Sequence, residues 1–113
     1  MKEYPKTIKK KLKELSILAW KRELNGELTS LAERFNDWKD GKIDCFELNE
    51  YIHKFHNGSS KDIWKKYNYS QSDILVASAI VFGILKNDEI PKEMLDIIDE
   101  KVKFIQQINE EEK

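Results

Sequence analysis

With 113 residues, 40 % hydrophobic and 11 % aromatic, the chain has the apolar content for one folded domain and too much for a disordered polymer. Charged residues make up 36 % but nearly cancel, leaving a net charge of −1, which argues against a dedicated nucleic-acid binder. The single cysteine, Cys45, permits no internal disulfide and fits a reducing compartment.

The longest apolar run, residues 74–85, is well short of the roughly 20 residues that a membrane span needs. The basic N-terminus opens into no apolar signal core. The expectation is a single cytoplasmic domain over residues 1–113 with no membrane segment. Its charge is polarised: residues 1–34 carry nine Lys/Arg and five Asp/Glu, while residues 70–113 carry five and ten. Such opposite ends suit helices that pack on one another, within a chain or between copies.

In chain order, residues 5–38 read as helix, with Pro5 where a first position tolerates proline. Ile8, Leu12, Leu15 and Ala19 form one stripe, and Leu24, Leu28, Leu31, Phe35 and Trp38 form another at spacings of four and three. The stripes are out of phase and Asn25-Gly26 lies between them, so one rod and two helices are both open. Asp40-Gly41 signals a turn, and Asp44 with Glu47 has the spacing of a capping box. The helix that follows, 44–56, carries Phe46, Tyr51, Ile52 and Phe55 as its apolar face, flanked by Leu48. Asn57-Gly58 reads as its end. Ser59 or Ser60 then caps a short helix with Ile63, Trp64 and Tyr67. Ser70 with Asp73 opens the next, 72–86, which is apolar almost all round and therefore central. After Asn87-Asp88, Pro91 starts a last helix with a stripe of Leu95, Ile98, Val102, Ile105 and Ile108. No strand-period segment and no internal repeat occurs. The fold class is all-α: a bundle of about five helices around a central apolar helix, 72–86.

Three constellations bear on chemistry. Counting Asn36 as position one puts Asp40 at five, Gly41 at six, Ile43 at eight, Asp44 at nine and Glu47 at twelve. Residues 35–48 thus resemble an EF-hand calcium loop, where Gly allows the sharp turn and the last Glu supplies both oxygens. The pattern is degenerate: Trp38 holds position three, which needs an oxygen ligand, and its place on the apolar stripe points it at the core. Along the next helix Glu47, Glu50, His53 and His56 recur every third residue, a spacing that could serve one metal ion. A metal site would therefore draw on Asp40, Asp44, Glu47, His53 and His56. Third, Lys61, Trp64, Lys65 and Tyr67 interleave cations with rings, a possible partner-binding surface. Cys45 sits at a helix start, but both histidines lie further along the same helix, about 12 Å or more away. No phosphate loop or oxyanion turn is present, so the chain does not read as an enzyme and implies no cofactor.

The stretch ELTSLAERFNDWKDGKIDCFELNEYIHKFHNGSSKDIWKKY, about residues 27–67, resembles a group of small uncharacterised bacterial all-α proteins. The resemblance implies an all-α fold of this size and carries no activity. The functional expectation is a protein–protein interaction or self-association module, with a protein partner or homo-oligomer; the alternative is metal binding through the 36–47 loop or the 47–56 helix.

Overall fold

The computed structural model describes residues 4–112, and every regular element among them is helical. Pro5 precedes α1 (Lys6–Lys39). At about 1.5 Å per residue its 34 residues reach some 51 Å, the whole 53 Å length of the molecule. The helix passes through Asn25-Gly26 unbroken. Its first stripe meets the core formed with residues 75–98; the second is out of phase with it and faces another direction.

The Schellman motif that closes α1 is built on Gly41, at φ 77°. The Gly41 N–H donates to the Trp38 carbonyl (3.1 Å) and the Lys42 N–H to that of Asp37 (2.8 Å). Asp44 then caps α2 (Cys45–Lys54) in the expected capping box. The Glu47 N–H donates to Asp44 Oδ1 at 2.8 Å, and the Asp44 N–H to Glu47 Oε1 at 3.4 Å.

Asn57-Gly58 does not end this helix. Residues Phe55–Ser60 form a π-helical turn that leads directly into α3 (Lys61–Tyr69). Residues 54, 55, 60 and 61 are all right-handed helical, so neither Ser59 nor Ser60 caps a new helix. The turn has a packing reason. At 100° per residue, Ile63 would lie about 80° away from Phe55 in a regular helix. One extra residue in a π turn brings it back to within roughly 20°. Ile63 and Tyr67 thereby face α1, on the side set by Leu48, Ile52 and Phe55.

The predicted helix 72–86 is shorter than expected: α4 covers Ser72–Val81. Gly83, also at φ 77°, forms a second Schellman motif. The Ile84 N–H donates to the Ala79 carbonyl (2.8 Å) and the Gly83 N–H to that of Ile80 (3.2 Å). Ser70 caps the end of α3 instead of the start of α4; Asp73 Oδ1 accepts from the Ile74 N–H. A short 3₁₀ turn, Asn87–Glu89, leads to α5 (Lys92–Glu111). Since α2, the π turn and α3 are continuous, the described residues make four helical rods, not about five helices.

The rods pack unevenly along α1. Its first half, through Ile8, Leu12, Leu15 and Ala19, joins Leu75, Val76, Ala79, Leu85, Ile90, Met94 and Ile98 in one core. Its second half borders α2 and the π turn, where Glu27, Leu31 and Arg34 share a cavity with Tyr51, Phe55 and Ser59. Between residues 20 and 66, Leu48 is the single buried hydrophobic. The result is a three-helix body bearing a thin two-helix hairpin. No helix among the described residues is long and apolar enough to cross a membrane.

Candidate functional site

The 36–47 segment is a joint between two helices. Asn36 through Lys39 belong to α1, so a third of the would-be calcium loop is wound into helix. The Asp44 and Glu47 carboxylates accept each other's backbone N–H, the capping geometry given above. His53 and His56 are both exposed. Among the described residues, no three His, Cys, Asp or Glu side chains are grouped to hold a metal ion. Asp40, Asp44, Glu47, His53 and His56 are thus neighbours in sequence without converging in space.

The basic–aromatic stretch divides. Tyr67 is buried with its ring stacked on Trp20 (centroids 5.6 Å, interplanar angle 3°), so it offers no surface contact. Trp64 is 51 % exposed and meets the edge of Tyr69, between the exposed Lys61 and Lys65. Beneath them, Lys66 pairs with Glu23 at 2.9 Å. The second Glu23 oxygen and the Tyr67 hydroxyl are buried without a hydrogen-bond partner. Burial, and then the negative charge of Glu23, push the Tyr67 phenol pKa up.

Two ionic clusters hold the body. Asp73, almost fully buried, accepts from the Tyr4 hydroxyl (2.8 Å) and pairs with Lys101 (3.1 Å). Burial alone would raise its pKa, but the Tyr4 and Lys101 hydrogen bonds outweigh it and the net direction is down. On the other side, Arg22 donates to both Glu89 oxygens and to the Ile84 carbonyl (2.9 Å). The Arg22 hydrogen bonds hold Glu89 at about 2. This clamp ties the α4–α5 connection to α1. Both clusters tie elements of the body to one another.

The feature that stands apart is the second stripe of α1. Trp38 does not enter the core: it is 43 % exposed, Leu28 equally so, and Phe35 37 %. Phe46, expected on the inner face of α2, is 81 % exposed. It lies about 160° around the helix from the buried Leu48, and contact with α1 selects the Leu48 side. The stripe Leu24, Leu28, Leu31, Phe35, Trp38 repeats at four and three, the spacing of a coiled-coil seam. Its open flank carries Asn25, Thr29, Ala32 and Asn36, so the face holds no charge from 24 to 36 in a chain that is 36 % charged. The charges lie on the α2 side. There, Glu27 and Arg34 border a cavity of about 380 Å³ that also touches Leu31, Tyr51 and Phe55. Arg34 sits over the Tyr51 ring at 5.5 Å and pairs with Asp37 at 3.3 Å.

No family model, curated protein or solved structure matches the chain. The seam's 4-3 spacing was legible in the sequence. That it lies open was not, because exposure depends on where α2 docks.

Proposed function

We propose that this protein is an interaction module whose working surface is the α1–α2 hairpin. The observation that carries this reading is the half-exposed, uncharged seam of Leu28, Phe35 and Trp38. Monomeric domains seldom leave so long an apolar strip uncovered, and strips of this kind mark partner-binding sites. The three-helix body, with α4 between α1 and α5, serves as the hub that holds the hairpin rigid. In this reading the protein acts without catalysis and the 36–47 joint shapes the hairpin.

Two baits test the reading: the wild-type chain and Leu28→Lys, both offered to the cytosol of a source cell and to additional copies of the same chain. The expected result is at least one stoichiometric complex, with the same chain or another protein, that the Leu28→Lys bait loses. Identical capture by both baits would remove the seam as the working surface.

A further inference from the structure

We infer that the occupant of the seam is a second copy of this chain, docked antiparallel so that two hairpins close into a four-helix bundle. This rests on the reading of the hairpin as an interaction surface and adds its partner.

Shape gives the first argument. A globular protein of this mass exposes about 6,500 Å², whereas this chain exposes 8153 Å². The radius of gyration is 17.4 Å, against roughly 13 Å for a compact domain of this length. The surplus surface, more than about 1,000 Å², exceeds the roughly 800 Å² that each partner contributes to a standard interface. A two-helix hairpin is one layer short of a bundle, and an identical hairpin supplies the missing layer.

Charge chooses the orientation. In the heptad set by Leu28 and Leu31, Glu27 and Arg34 are successive g positions, while Ala32 and Lys39 are e positions. Parallel pairing sets g against e of the partner: Arg34 against Lys39, two like charges, and Glu27 against an uncharged Ala32. Antiparallel pairing sets g against g. With Leu28 opposite Leu31 and Leu24 opposite Phe35, Glu27 of each copy meets Arg34 of the other, twice by symmetry. The other flank then pairs Asn25 with Ala32, small enough for close approach. The two-fold arrangement is closed, so it stops at a dimer. Glu27 and Arg34 border the cavity of about 380 Å³ between α1 and α2, on the flank where the seam meets α2.

The test is sedimentation equilibrium of the full chain with four samples: wild type, Leu28→Lys, Glu27→Arg and Arg34→Glu. Wild type is expected at twice the chain mass of 13.4 kDa, and Leu28→Lys at the chain mass with an unchanged helical circular-dichroism spectrum. Glu27→Arg and Arg34→Glu should each self-associate about tenfold more weakly. Mixed in equal amounts, they should regain the wild-type affinity, since each chain then supplies the charges that the other needs. That rescue also guards against either substitution merely loosening the fold. A wild-type monomer at 100 µM-scale concentration would overturn the dimer, as would a dimer indifferent to Leu28→Lys. Self-association without rescue on mixing would overturn the antiparallel register. A monomeric wild type that still forms a seam-dependent complex with another protein would defeat this inference and leave the interaction reading standing.

Discussion

At the residue scale, two buried polar groups have opposite consequences for stability. Asp73 is satisfied by Tyr4, Lys101 and the Ile74 N–H, so its folded pKa lies below the ordinary value. A depressed carboxylate contributes stability that is complete above its unfolded pKa, near 4, and disappears as pH falls through the folded value. Acid unfolding should therefore begin below about pH 5. Asp73→Asn should cost about 2 kcal/mol at neutral pH, discounted because Lys101 is partly solvated. The same substitution should flatten the acid limb of the melting temperature against pH. An unchanged limb would remove Asp73 as its source. Tyr67 is the contrary case. Its buried hydroxyl lies beside the Glu23 carboxylate without a well-formed hydrogen bond, and the ring, not the oxygen, stacks on Trp20. Tyr67→Phe should leave stability unchanged or raise it by up to about 1 kcal/mol in urea melts. A loss of 2 kcal/mol or more would mean that the hydroxyl is bonded after all.

At the element scale, the π turn shows where sequence and structure part. The stripes of α1 and α5, the Asp44 capping box and the Gly41 turn were all legible, because each depends on local spacing or on a local backbone demand. The turn at 55–60 was not. Asn57-Gly58 is a sound stop signal in isolation, yet here Gly58 has no positive φ and the helix continues. What decides is distant: Tyr67 reaches Trp20 only if the helix gains a residue of phase. Gly83, inside the expected 72–86 helix, is the left-handed stop of α4, which is why that helix ends five residues early. The exposure of Trp38 and Phe46 was illegible for a similar reason, since periodicity defines a stripe but not which element covers it. Deleting Asn57 alone, an exposed residue, should turn the π turn into regular helix and keep the phase of α3, whereas deleting Asn57 and Gly58 together should rotate α3 by about 100°. Loss of the Trp20–Tyr67 stack and of Ile63 packing should cost about 3–5 kcal/mol. Asn57→Ala, which keeps the count, should cost less than about 0.5 kcal/mol. Equal effects of the double deletion and of the single deletion in thermal melts would refute the phase argument.

At the scale of the whole molecule, stability should be unequal along the one helix that runs its length. The first half of α1 is covered by α4 and α5, and its core residues Leu12 and Ala19 are almost fully buried. The second half has α2 on one side and the seam on the other. Opening free energy follows local burial, so amides of residues 24–55 should exchange with deuterium well before those of 8–19, 75–80 and 94–98. Helix cooperativity alone does not remove this difference, because most helical stability in proteins comes from packing of the apolar face. The proposed dimer adds a second variable. Binding through the folded hairpin stabilises it by mass action, while the body, met by the partner only where Trp38 reaches Lys21, gains little locally. Hydrogen exchange measured across a hundredfold range of protein concentration should therefore show protection rising in 24–55. The body's amides should respond only where they exchange through complete unfolding. Leu28→Lys should abolish the concentration dependence and leave the fast-exchanging hairpin. Uniform protection along α1 at low concentration would show that the hairpin is as stable as the body without a partner. The surplus surface of the monomer would then need a different explanation.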